Sequence, residues 1–314
     1  MGRQTGCGNT GDRYFLIIIA KIFTMNIIRF NPKIDDDKRR QLLFDGDFIL
    51  YSKTEALKNL VAFAGTLIEE AYGDQPEKAQ FGMDVADFIK QASALKTKFT
   101  NHATTKELIK ALLAETKCDE AKTYFDVPRL RIVTSDNYLT AGVGYAYKAH
   151  RDTWYSSPEA QVNWWLPVFD LAPESTMSIY PSYWDTTIKN SSEDFNYDEW
   201  CSIGRQMAVN QVGVDTRKHP LPMEEVNNIA ETRFVLASGE VMLFSASQLH
   251  ATAPNTSGKT RFSIDFRTVN TDDLQQKKGA KNIDNKATGT TLRDFLSAVD
   301  FKTLDDTIID QYLN

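Results

Sequence analysis

Two neighbouring stretches decide how this chain folds: Ser238-Gly239-Glu240-Val241-Met242-Leu243-Phe244-Ser245-Ala246-Ser247-Gln248-Leu249-His250, and Arg261-Phe262-Ser263-Ile264-Asp265-Phe266-Arg267. In the first, a Gly turn, an apolar strand and a short loop deliver a single His. Pro254-Asn255-Thr256-Ser257-Gly258 then turn the chain into the second. Period-two alternation puts Arg261, Ser263, Asp265 and Arg267 on one face and Phe262, Ile264 and Phe266 on the other. An all-polar strand face with two Arg is costly inside a barrel unless it meets a charged ligand.

Outward from there, short strand-like runs occupy 128–134, 143–147, 162–168, 176–180 and 232–236. Turn residues separate them and helices do not, which excludes a βαβ series and predicts an antiparallel sandwich or barrel. Before residue 124 the texture is helical. Leu57, Leu60, Val61, Ala64, Leu67 and Ile68 have the three-and-four spacing of a helix over 54–71. Val85, Phe88, Ile89, Ala92 and Leu95 predict a second helix, and Leu108, Ile109, Leu112 and Leu113 a third. Leu292, Phe295, Leu296 and Val299 repeat the spacing and predict a C-terminal helix within 290–314. Residues 183–233 break the rhythm: about 50 residues, rich in aromatics (Trp184, Phe195, Tyr197, Trp200), far exceed ordinary connections and predict a functional cover such as a lid.

Composition narrows the class. At 314 residues, 42% hydrophobic and 25% charged, the chain has the make-up of a globular protein with a sizeable core. We expect a single domain over 25–314. A net charge of −6 disfavours nucleic acid and anionic membranes as partners, and Lys277-Lys278 with Lys281 reads as a solvated loop. Cys7, Cys118 and Cys201 lie far apart without a C-x-x-C, so neither a disulfide framework nor a zinc site is indicated. That suits a reducing, cytoplasmic setting. The apolar run 15–20 ends at Lys21, is too short to span a bilayer and lacks a small-x-small cleavage pattern after it. Met25 then opens Asn26-Ile27-Ile28-Arg29-Phe30 like a natural beginning, so residues 1–24 read as a leader or extension of doubtful order.

Histidine is scarce: His102, His150, His219 and His250. His150-Arg151-Asp152 follows the run 143–147, and in a strand residues i and i+2 share a face, so an imidazole and a carboxylate can converge on one ion. Alone this is a weak signal, since a surface His beside a surface Asp is common. Together with His250 it makes two His and one carboxylate. On one side of an octahedral ferrous ion, such a set leaves the remaining positions open. Arg261 could grip a carboxylate through two charge-assisted hydrogen bonds, with the Ser263 hydroxyl on the same group. His219, in the turn His219-Pro220-Leu221-Pro222, stays outside this set.

From Tyr124 to Val269 the chain resembles the phytanoyl-CoA dioxygenase-like branch of the 2-oxoglutarate/iron(II) oxygenases. His150, Asp152 and His250 match the family's H-x-D…H metal triad, and Arg261, eleven positions on, matches the Arg that takes the remote carboxylate of 2-oxoglutarate. Gly239…Phe244 and Pro254-Asn255-Thr256-Ser257 stand where the family has its flanking motifs. Pro181-Ser182-Tyr183-Trp184 departs from the usual Gly-Ser-His. Arg267 sits at a spacing that other branches use for the co-substrate Arg. The resemblance implies a double-stranded β-helix (jelly-roll, cupin-like) core over 124–270, a helical part over 25–123, and an enzyme using Fe(II), 2-oxoglutarate and O2. It implies hydroxylation of a small molecule with release of succinate and CO2, and since Asp152 fills the place that halogenating relatives leave open, hydroxylation is favoured. Asn163 either donates to 2-oxoglutarate or is satisfied by backbone. Trp154 and Tyr155 either wall the substrate pocket or simply pack, and Arg267 and Trp184 complete the substrate-side candidates. Two rivals remain: a cupin-like metal enzyme without 2-oxoglutarate, and a non-catalytic β-sandwich binding protein.

Overall fold

The computed structural model describes residues 26–52, 54–211, 213–227 and 231–313, so the leader expected over 1–24 lies outside the described residues. The architecture is mainly β with flanking helices. In chain order the elements are β1 (Ile28–Phe30), α1 (Asp36–Phe44), β2 (Phe48–Ser52), α2 (Glu55–Tyr72), α3 (Val85–Asn101), α4 (Ala103–Glu115), β3 (Thr123–Asp126) and β4 (Arg129–Val133). Then come β5 (Val162–Pro167), β6 (Met177–Ile179), β7 (Thr232–Arg233), β8 (Glu240–Ser245), β9 (His250–Thr252), β10 (Arg261–Asn270) and β11 (Phe295–Ser297).

Eight strands form one mixed sheet in the order β1-β2-β8-β5-β10-β3-β11, with β4 also on β10; β7-β6-β9 form a second sheet. β10 organises the large sheet. It pairs β5 along 263–268 on one edge, and on the other edge β4 along 261–265 and β3 along 268–270. Its alternation does what the sequence predicts. Phe262, Ile264 and Phe266 join the main core with Leu57, Leu60, Phe88 and Leu112 of the helices. Each such side chain contributes about 2 kcal/mol of burial. The other side of the sheet faces the small one, where Phe48, Leu50, Trp165, Met177, Ile179, Met242 and Phe244 pack together. The result is a jelly-roll core with a helical layer behind it.

The helices start and stop where local chemistry dictates. Thr54 accepts from Leu57 N–H at 3.2 Å to cap α2, and Glu115 accepts from the N–H groups of Glu55 and Ala56. Asp84 caps α3 through Asp87 N–H at 2.9 Å.

Four expectations need correction. The first third is not purely helical: β1 and β2 pair in parallel around α1, and β2 joins β8, so a local βαβ unit builds one sheet edge. The run 143–147 is no strand; a 3-10 turn Gly142–Gly144 replaces it. Gly142 has φ +58, and a Cβ there would meet the carbonyls of Ala208 and Gln211 at 2.3 and 2.6 Å, so close approach by the long insert dictates the residue and the bend. The expected C-terminal helix over 290–314 is instead a 3-10 turn Thr291–Asp294, strand β11 on β3, and a four-residue helix Asp306–Ile309. Val299, which the helical stripe would bury, is 50% exposed. The core therefore extends beyond 124–270 at both ends. Among the described residues no helix is long and apolar enough to cross a membrane, and Cys118 and Cys201 are free thiols.

Candidate metal centre

The three predicted ligands are brought together by backbone. His150 and His250 each donate an N–H to the other's carbonyl at 2.9 Å, and Asp152 N–H donates to the Ala246 carbonyl at 2.9 Å. This is not the strand spacing expected for H-x-D. His150 is an isolated bridge residue, and Asp152 opens the 3-10 turn Asp152–Tyr155. The pinned pair sets the imidazole centroids 4.3 Å apart. Asp152 Oδ1 lies 3.4 Å from His150 Nε2 and 3.7 Å from His250 Nε2.

Each Nδ1 faces the carbonyl two residues earlier, Lys148 at 2.7 Å and Gln248 at 3.0 Å. A carbonyl only accepts, so Nδ1 carries the proton and each Nε2 lone pair faces the shared centre. The donor atoms all lie within 4.8 Å of one another on buried residues, a set that could hold a metal ion. Burial, and His150 beside it, push the His250 imidazole down to about 4, so it is neutral at pH 7 as a ligand must be. Burial opposes ionisation of Asp152, but Arg267 and the two imidazoles overcome it and hold the carboxyl well below the usual range.

The second oxygen of Asp152 is also held. Gln161 Nε2 donates to Oδ2 at 3.3 Å, and Arg267 Nε stands 3.6 Å from it. Gln161 donates as well to Asn163 Oδ1 at 2.9 Å. Gln161 stands just before β5, two residues from Asn163, and so shares its face. Arg151, between the ligands, is buried; it donates to the carbonyls of Ser247 (2.5 Å), Tyr183 (2.7 Å) and Thr186 (2.9 Å) and pairs with Asp284 at 3.2 Å. Asp284, from the tail, carried no sequence signal.

The polar face of β10 runs from this centre along a cavity of about 600 Å³. Arg267 lies at the ligand end, 3.2 Å from Asp126 and 3.3 Å from Asp265 as well as near Asp152. Asp265 receives a two-pronged contact from Arg131, at 2.5 and 3.0 Å. Burial would raise the Asp265 carboxyl, but Arg131 and Arg267 bring it to about 2. At the far end Arg261 donates to the carbonyls of Ser175 (3.1 Å) and Thr176 (3.0 Å) and lies over the Trp165 ring. Its Nε and the Ser263 Oγ are buried and have no hydrogen-bond partner. Burial, then Arg131, lowers the Arg261 guanidinium to about 10.

An aromatic wall completes the cavity. Tyr145, Tyr147, Tyr155 and Trp200 line it. His219, behind them, stacks on Tyr145 at 4.1 Å and shares a 3.0 Å hydrogen bond with the Tyr155 hydroxyl. It belongs to this wall and lies outside the three-residue ligand set. The insert 183–233 supplies Tyr197, Trp200, Arg205 and Arg217 to the lining.

Of the substrate-side candidates, Tyr155 and Arg267 line the cavity, as does Asn163, whereas Trp154 and Trp184 do not. Successive side chains of a 3-10 turn diverge, so Tyr155 points in while Trp154 turns back against Tyr180, Ile188 and Leu249 and donates to Asp284 at 2.6 Å. Trp184 packs over Gly46 in the main core.

No family model matches this chain, and no curated protein does. Among solved structures, EvdO2 from Micromonospora carbonacea var. aurantiaca, complexed with 2-oxoglutarate, is 11% identical over 78% of this chain and 94% of that one, with a TM-score of 0.44. The non-heme alpha ketoglutarate dependent epimerase SnoN from nogalamycin biosynthesis is 12% identical over 75% and 84%, at 0.35. The non-heme alpha ketoglutarate dependent carbocyclase SnoK, from the same biosynthesis, is 11% identical over 71% and 79%, at 0.38. Likenesses of this order carry no chemistry with them; that has to come from the side chains of the site.

Proposed function

We propose that this chain is a 2-oxoglutarate- and Fe(II)-dependent dioxygenase of the phytanoyl-CoA dioxygenase-like branch. It hydroxylates an unactivated C–H of a small, natural-product or amino-acid-like molecule and releases succinate and CO2. One observation carries the reading: Arg261, whose buried Nε is unpartnered, lines the same cavity as a His-Asp-His set, and the unpartnered Ser263 Oγ lies on the same face of β10. A buried donor without a partner costs about 1–3 kcal/mol. Two such donors on one strand face fit a bound carboxylate, which a metal site without 2-oxoglutarate does not require.

In this reading His150, Asp152 and His250 hold the iron, and Arg261 with Ser263 holds the remote carboxylate of the co-substrate. Bound iron with 2-oxoglutarate and O2 supplies the oxidising power. The chain's own residues do the positioning. The Lys148 and Gln248 carbonyls fix the imidazole tautomers. Gln161 and Arg267 tie down one oxygen of Asp152 and leave the other toward the iron. Arg267 therefore serves the ligand carboxylate and not the co-substrate. The Asn163 amide N–H2 is left to donate to 2-oxoglutarate, its oxygen being taken by Gln161. Tyr197, Trp200, Arg205 and Arg217 of the long insert cover the cavity and exclude water. The test is iron-dependent conversion of 2-oxoglutarate to succinate by the purified protein. It is expected in the wild type and absent from Asp152→Ala; equal turnover in both would overturn the reading.

A further inference from the structure

The cavity wall is overloaded with positive charge. Seven cationic side chains line it among the described residues. Five are matched by carboxylates within 4 Å: Arg129 by Asp126 and Asp294, Arg131 by Asp265, Arg205 by Asp294. Arg217 is matched by Asp215, and Arg267 by three carboxylates. Two, Arg261 and Lys96, have no carboxylate at that distance among the described residues. Arg261 is accounted for by the co-substrate, and a divalent ion at the triad would add further positive charge. Lys96 is unaccounted for.

Lys96 comes from α3, which packs on β4, and its stem is partly exposed while its ammonium turns inward. Nζ donates to the Val143 carbonyl in the turn Gly142–Gly144, which leaves two of its three N–H donors. Ser93 and Thr97 of the same helix line the cavity beside it, and Arg131, Asp265 and Arg217 are the charged groups that act on it. Burial, then Arg131, pushes the Lys96 ammonium down to about 7. Keeping a proton on an ammonium in such surroundings calls for a further negative charge.

We propose, resting on the function above, that Lys96 is the anchor for an anionic group of the substrate, so that the enzyme takes small acids whose carboxylate sits on Lys96 and whose apolar body lies along Tyr145, Tyr147 and Tyr155. The wall fits that division. Its ring faces suit a hydrophobic or aromatic body, and Lys96, the one lining cation that, among the described residues, neither a carboxylate nor the co-substrate neutralises, fixes the other end. Binding at the remote end is what holds the reacting carbon in place.

The experiment uses a series of ω-phenyl carboxylic acids of increasing chain length, each paired with its neutral primary amide. Binding is read by thermal shift and calorimetry at saturating 2-oxoglutarate, which keeps the probes off Arg261. At least one acid is expected to bind about tenfold tighter than its amide, the scale of one charge-assisted hydrogen bond. Lys96→Met should abolish that preference and Lys96→Arg should retain it, which separates lost charge from lost fold. No acid exceeding its amide in the wild type, or a preference that survives in Lys96→Met, would overturn the proposal. Succinate formation by the wild type is measured in parallel. Its absence would count against the oxygenase reading alone, because the acid–amide comparison does not depend on turnover.

Discussion

Arg261 and Arg267 lie six residues apart on one face of β10 and line the same cavity, the first buried and the second largely so, yet they are opposite kinds of arginine. Burial disfavours both charges. Around Arg267 the carboxylates of Asp126, Asp265 and Asp152 overturn it and raise the guanidinium far above its ordinary value. Around Arg261 nothing does: two carbonyls and a tryptophan ring are its partners, Nε is unmet, and the guanidinium falls to about 10. In the proposed reading, the difference makes Arg261, the co-substrate candidate of the sequence, the arginine that awaits a ligand, and Arg267 the one that does not. A saturated buried cation is part of the scaffold, and an unsaturated one is part of a binding site.

The comparison can be broken at several points. Asp152→Ala removes the group that ties Arg267 to the metal centre, and should reduce iron-dependent turnover by about a thousandfold or more, with iron no longer retained on gel filtration. Arg261→Met should raise the KM for 2-oxoglutarate roughly a hundredfold while thermal stability holds or rises, since an unpaired buried charge is removed. Arg267→Met should do the reverse at the level of the fold, costing about 3 kcal/mol in a denaturant titration, because three clustered carboxylates lose the cation they share and each keeps only its other partner. If Arg261→Met were the destabilised variant and Arg267→Met the one with the raised KM, the two assignments would have to be exchanged. Gln161→Leu frees one oxygen of Asp152 and should weaken iron affinity by about tenfold, read by competition with a chelator.

The smallest effect concerns pH. The His219 imidazole, lowered by burial and Arg217 from 6.5 to about 4, is lowered by the same forces that act on Arg261. Between those values the unfolded chain binds the proton and the folded one does not. The stability it contributes is therefore complete above about 6.5 and is lost as pH falls toward about 4. His219→Phe, which keeps a ring on Tyr145, should flatten the fall of Tm over that window. An unchanged slope would remove His219 from the account.

The parts of the molecule that were legible in sequence are those whose information is local. The alternation in Arg261–Asn270, the Gly239 turn into Glu240–Ser245 and the H-x-D spacing of His150 and Asp152 all lie within a few residues of what they specify, and the scarcity of histidine singled out His250, which the fold brings beside that pair. The three long N-terminal helices were legible for the same reason. What escaped is set by distant partners. Phe48–Ser52 is a short apolar run between helices, equally compatible with a buried helical turn, and becomes a strand because Glu240–Ser245 lies beside it. Phe295–Ser297 carries a helical stripe that β3 overrides by pairing. In the site, Asn163 was visible as a candidate, but not the chain that leads from it through Gln161 to Asp152. Lys96 and Asp284 gave no signal, since each reaches the site across more than 45 residues of sequence, to Val143 and to Trp154.

The most direct test is an anaerobic titration of Fe(II) with 2-oxoglutarate, following the weak visible charge-transfer band of the bound pair. The account predicts a one-to-one band in the wild type, none in His250→Ala, and a band in Arg261→Met that needs far more 2-oxoglutarate. Iron bound by the wild type without any band would contradict it, leaving a metal site of another class and Arg261 without its role.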